Sequence, residues 1–169
     1  MRRLLVVAGI LLPGLFLSGC GAKDIERNRP ILTFKSNIEI SSEKTNLSAE
    51  IARTEDNTQL EVTSPESLVG LKISHGEPEN SIAMNGLEYK TDELVLPSGS
   101  SIAAVFEVLD FMAENRDEEA FYKDSKEMAF LGKVAEGKFE LRADRKTGLL
   151  TEIKIGDTIT AKFSNQEKL

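Results

Sequence analysis

Few residues in this chain could do chemistry. It has one cysteine, Cys20, and one histidine, His75. A lone thiol closes no disulfide within the chain, so the fold must be held by its core. His75 lies in His75-Gly76-Glu77-Pro78, a turn sequence. A catalytic imidazole needs a nucleophile and an orienting group beside it, and a metal site needs further ligands. The sequence places neither near His75, which is expected in an exposed turn. Asp92 with Glu93 and Glu118 with Glu119 are paired carboxylates, the residue type of general acid–base work. Adjacent residues on a strand or loop point apart, so these pairs are expected to be solvated. G-x-S-x-G, the P-loop and G-x-G-x-x-G are all missing. Asn46-Leu47-Ser48 fits the glycosylation pattern by chance. The chain is therefore expected not to be an enzyme and to take no metal or cofactor.

Cys20 gains meaning from what precedes it. Arg2 and Arg3 give a positive start, and Leu4 to Leu17 form an apolar run of 14 residues. A transmembrane helix needs about 20, and Pro13 and Gly14 weaken this one further. A charged start, a short apolar run and small residues at its end make an export signal. A secreted protein with one unpaired thiol would be unusual, whereas a lipid acceptor needs just one. Leu17-Ser18-Gly19-Cys20 resembles the lipobox of bacterial lipoproteins. The resemblance implies removal of residues 1–19 and acyl chains on Cys20. About two chains suffice for stable anchoring. The partner expected from it is a membrane, reached through the lipid on Cys20. The expected place is the extracytoplasmic side of a bacterial envelope, on the plasma membrane or on an outer membrane where there is one.

Residues 20–30 then form a lipidated N-terminus and tether. Gly21 to Pro30 is polar and has no apolar period. The mature chain would keep 150 of the 169 residues, enough for one domain. The formal charge of −7 becomes −9 without Arg2 and Arg3. Such a domain is repelled by nucleic acid and by anionic lipid surfaces, so no nucleic-acid partner is expected.

Residues 31–165 read as one domain, with 166–169 as a C-terminal tail. Apolar residues recur with period two: Leu32, Phe34, Ile38 and Ile40; Leu47, Ala49 and Ile51; Leu60 and Val62; Leu71 and Ile73; Ile82 and Met84; Leu87 and Tyr89. Asn85-Gly86 between the last two pairs is a two-residue hairpin signal. The second half repeats the pattern with Met128, Phe130 and Val134, where Gly132 suggests a bulge. It continues with Phe139, Leu141 and Ala143; Ile153 and Ile155; and Ile159, Ala161 and Phe163. Phe121 and Tyr122 are candidates to start a further strand. Short strands with tight turns predict an antiparallel meander.

One stretch breaks the period. Ile102, Val105, Phe106, Leu109, Met112 and Ala113 recur at helical spacing. Ser98 or Ser100 can cap a helix from about Ser100 to Asn115. Its polar positions, Glu107, Asp110 and Glu114, share a narrow arc. Ala104, Val108 and Phe111 widen the apolar arc beyond the usual stripe. Either the helix plugs a curved sheet, or its spare apolar surface lines a pocket, with Val105, Val108, Phe111 and Met112 as the lining. The two are compatible. The fold class expected is α+β and mostly β: a curved antiparallel sheet with one central helix against its concave face.

Strands, a central helix, then more strands resembles the half-barrel shared by the LolA and LolB carriers, LppX-type lipoproteins and the RseB sensor domain. Local echoes are Thr63 to Leu68 with Gly70-Leu71 after the third strand, Asn85-Gly86-Leu87, Leu96-Pro97, and Asp144 to Gly148 leading into Leu149. The resemblance implies a lipid or other hydrophobic ligand in the half-barrel. Related lipoproteins instead bind a partner, as the germination lipoprotein GerS supports a cell-wall amidase. Two functions are thus expected: binding of an apolar ligand, or docking of a cell-envelope protein such as a cell-wall enzyme. If Phe34, Ile38, Phe106, Phe130 and Phe139 fill the concave face, the second gains.

Overall fold

The structure is a computed structural model and describes residues 29–92, 96–97, 99–116, 121–122 and 125–169. The export signal, Cys20, Ser98, Glu93, Glu118 and Glu119 lie outside the described residues.

Alternation of apolar and polar side chains builds a single sheet of 11 strands in the order β6-β5-β4-β3-β2-β1-β11-β10-β9-β8-β7. The strands are β1 (Phe34–Ser41), β2 (Asn46–Arg53), β3 (Asn57–Ser64), β4 (Lys72–Gly76), β5 (Asn80–Met84), β6 (Leu87–Thr91), β7 (Phe121–Tyr122), β8 (Glu127–Val134), β9 (Gly137–Asp144), β10 (Leu150–Ile155) and β11 (Ile159–Lys168). All neighbours are antiparallel. Two meanders meet where β1 pairs with β11, with Ile38 opposite Phe163 and Ile40 opposite Ala161. The helix α1 (Ser101–Glu114) lies between the meanders in sequence. Among the described residues the result is mostly β, a curved antiparallel sheet with one α-helix, and it fits a half-barrel.

Ser100 caps α1, its hydroxyl accepting from the Ala103 N–H at 3.4 Å. Ile102, Ala104, Val105, Phe106, Val108, Leu109 and Met112 are buried in the same core as the inward residues of both meanders. Phe34, Ile38 and Phe139 are in that core; Phe163 packs at its margin, edge-on to Phe34 at 5.8 Å. The Asp144 carboxylate accepts from the N–H groups of Lys146 and Thr147, which closes the β9–β10 turn.

Three expectations need correction. Gly132 is not a bulge: β8 and β9 pair in regular register, Gly132 opposite Phe139. It leaves room for a close approach, because a Cβ there would overlap the Phe139 ring and touch that of Phe111. Residues 166–168 are not a tail, since β11 runs on beside β1 until Lys168 faces Phe34. Leu87 and Tyr89 alternate as a buried strand would, yet they are 79% and 68% exposed. A helix of 14 residues is only ~21 Å long, whereas 11 strands span roughly 50 Å at about 4.8 Å each. The β5–β6 hairpin lies past its reach.

Candidate functional site

The inward-facing pattern of β2, β3 and β4 ends in polar residues. After Leu47, Ala49 and Ile51 comes Arg53, which is 5% exposed. Thr58 precedes Leu60 and Val62 and faces Arg53 across the ladder. His75 follows Ile73. A buried guanidinium must be paired, and α1 supplies the partner. Asp110 accepts from Arg53 Nη1 at 2.8 Å through one carboxylate oxygen. Its other oxygen stands 3.0 Å from His75 Nε2. Arg53 also donates to the Thr58 hydroxyl.

His75 is therefore not an exposed turn residue. It is half-buried, and its ring stacks on Phe106 with centroids 5.8 Å apart and planes 12° from parallel. Its Nδ1 lies 2.9 Å from Asn80 Oδ1. That atom accepts from the Gly76 N–H, while Asn80 Nδ2 donates to the Asp92 carbonyl, so the amide's orientation follows from its partners. Both ring nitrogens face acceptors, which only the imidazolium form satisfies. The hydrogen bond to Asp110 raises the His75 pKa, against an opposing contribution from burial. Burial by itself would push Asp110 up; the bond from His75 and the Arg53 charge outweigh it and hold the carboxyl low.

The sign of the linkage follows. His75 binds its proton more tightly folded than unfolded, so its contribution is complete below the unfolded value of ~6.5 and is lost as pH rises through the folded pKa. His75 is the chain's only histidine. The urea midpoint of the protein should therefore drop as the pH is raised above ~6.5, and His75→Gln should flatten that drop. Parallel profiles for both would show that the imidazolium does not stabilise the fold.

Beside this cluster runs a groove of about 530 Å³ between α1 and the sheet. Leu96, Ala103, Phe106, Phe111 and Val134 line it with apolar surface; His75, Asp110, Glu107, Glu114 and Lys133 supply charge. Phe111 is fixed edge-on against Phe139, centroids 5.3 Å apart. Glu107 accepts from the Ala135 N–H at 3.0 Å, tying α1 to the β8–β9 turn. Burial, together with the nearby Glu107, pushes the Glu136 carboxyl up.

Of the four residues expected as ligand lining, Phe111 lies in this groove. Val105 and Val108 are fully buried and Met112 is 2% exposed, all inside the core. Asp92 is exposed. Among the described residues, no three of His, Cys, Asp and Glu are placed to hold a metal ion, and no helix is long and apolar enough to cross a membrane. The arrangement clamps α1 to the sheet; among the described residues, His75 contacts Asp110, Asn80 and the Phe106 ring.

No family model and no curated protein matches the chain. Among solved structures, an uncharacterized conserved protein from Thermus thermophilus is similar over 86% of this chain and 83% of its own, at 13% identity and a TM-score of 0.51. A LolA superfamily protein from Nitrosomonas europaea is similar over 85% of this chain and 89% of its own, at 10% identity and a TM-score of 0.40. PNGF-II matches over 80% of this chain and 27% of its own length, at 9% identity and a TM-score of 0.40. The two overlaps at 0.40 are too loose to carry an argument. The likeness to the Thermus protein is one of fold alone.

Proposed function

We propose that this protein is an extracytoplasmic lipoprotein, held to its membrane by acyl chains on Cys20, and that its domain is a non-catalytic docking module for a cell-envelope protein. In this reading α1 lies against the concave face of the half-barrel as a plug. The observation that carries it is the filling of the inner face: Phe34, Ile38, Phe106, Phe130 and Phe139 are each at most 4% exposed. A carrier of long acyl chains needs that volume empty. Binding capacity is left to the surface, where the groove offers apolar walls at Phe106 and Phe111 and charges at its rim. It suits an apolar side chain of a docked protein flanked by polar ones.

A second reading is binding of a small amphipathic ligand in the same groove. It is favoured by the volume of about 530 Å³, within the usual range of roughly 300–1,000 Å³ for ligand sites.

Metabolic labelling with an alkynyl fatty acid, followed by native mass spectrometry of the full chain in mild detergent, tests both parts. The wild type should be labelled and Cys20→Ser should not; equal labelling would remove the anchor. The docking reading expects the covalent acyl mass alone. A non-covalent lipid retained at about one per chain would replace docking with ligand binding.

A further inference from the structure

The sheet ends at β6, and no described strand pairs with its outer edge. Exposed edge strands are usually short, twisted away or guarded. β6 is short, five residues, and carries Glu88 and Lys90 on its outer side, but it also carries Leu87 and Tyr89, two large and mostly exposed side chains. They lie on the side of the sheet that faces the core, where Tyr89 continues a row from Ile73 through Ile82. That row stops at the edge with its last member in water.

The hairpin fixes which backbone groups of β6 are unused. Asn85 and Gly86 have φ of 53° and 81°, and Met84 pairs with Leu87 across this two-residue turn. Next to such a turn the flanking pair exchanges both ladder bonds, and bonded and non-bonded pairs then alternate. Leu87, Tyr89 and Thr91 direct their N–H and C=O groups inward to β5. Glu88 and Lys90 direct theirs outward.

We propose that two copies of this chain join edge to edge through β6, antiparallel and centred on Tyr89. In that register Tyr89 faces Tyr89 of the second copy across the two-fold axis. Glu88 of each copy faces Lys90 of the other, and Leu87 faces Thr91. The outward backbone groups of Glu88 and Lys90 then meet as bonded pairs, which satisfies both edges at once. Opposite charges face each other twice on the outer side, and the apolar row runs unbroken through Tyr89 on the inner side. A contact in which each surface patch meets itself closes as a dimer. Lys90 already sits beside Glu79 on the outer side; the second copy's Glu88 would flank it from across the edge. No residue of β6 lines the groove, so this contact stands or falls separately from the docking reading.

Disulfide trapping in isolated membranes tests it with the full chain. A non-bonded antiparallel pair has Cα atoms about 4.5 Å apart, within the range of about 4.4–6.8 Å for a disulfide. Tyr89→Cys should give an oxidised dimer. The wild type, which controls for Cys20, and Leu131→Cys, exposed on β8, should not. Adding Glu88→Lys to Tyr89→Cys sets lysines opposite each other twice and should cut the dimer at least ~3-fold; Lys90→Glu should do the same with glutamates. Co-expressing these two variants restores opposite charges and should restore the dimer, which misfolding of either could not do. Absence of a Tyr89→Cys dimer, trapping of a different protein at that position instead, an equal dimer with Leu131→Cys, or indifference to the charge changes would each overturn the proposal.

Discussion

Val108→Asp should leave the chain without a cooperative unfolding transition at neutral pH. Val108 is fully buried in the centre of α1's packed face. An ionised carboxylate there has no partner, and the effective penalty for such an ion is several kcal/mol. That is comparable to the whole stability of a domain, about 5–15 kcal/mol. The exposed α1 residue Glu114 provides the contrast, and Glu114→Ala should melt within a few degrees of the wild type. Circular dichroism on heating, with titration of a fluorescent fatty acid, makes the comparison. A Val108→Asp protein that melts like the wild type but loses the probe would mean that Val108 faces a ligand cavity rather than the core.

Asp110→Ala should cost about 2–3 kcal/mol in urea unfolding. The substitution removes little apolar surface. Its effect falls on Arg53, 5% exposed, which keeps the Thr58 hydroxyl but no counter-ion. His75 loses its strongest acceptor at the same time. Because Asp110 is itself about one-third exposed, the loss should stay below that of a fully buried pair. Asp110→Asn, which can still accept from Arg53, should lose less than Asp110→Ala. Replacing both partners, Arg53→Met with Asp110→Leu, should recover most of the stability, since breaking a buried pair costs more than replacing it with apolar groups. If Asp110→Ala stays within ~0.5 kcal/mol of the wild type, the cluster does not hold α1 to the sheet.

The fold was more legible in the sequence than the site. Period-two alternation located the inward faces of the long strands, and helical spacing bounded α1 within a residue of Ser101 and Glu114. Asn85-Gly86 made its hairpin. These are local signals, set by neighbours a few residues apart. The His75 cluster is not local: His75 and Asp110 are 35 residues apart, and Arg53 and Asp110 are 57 apart. A turn motif at His75 described its neighbours and said nothing of α1. One signal was present nonetheless. Extending the alternation by one step puts Arg53 and His75 on the inward side of β2 and β4, where a cation requires a carboxylate. The polar arc of α1 offered three, Glu107, Asp110 and Glu114, and the structure uses Asp110. The opposite error befell Leu87 and Tyr89. Their alternation was genuine, but pattern alone does not reveal where the covering layer ends.

The pairing of β1 with β11 bears on how the chain is made. Ser36 donates to the carbonyl of Ser164, 128 residues further on. The strand at the middle of the sheet therefore waits for the last one before either can be completed. Contacts of such long separation form slowly, because the intervening loop must close first. A chain emerging in order from its N-terminus can form the β1–β6 meander but must leave β1 with a bare edge, apolar on one face. Until β11 is made, the sheet is two unjoined halves. This topology therefore postpones the joining of the two meanders until β11 has been made.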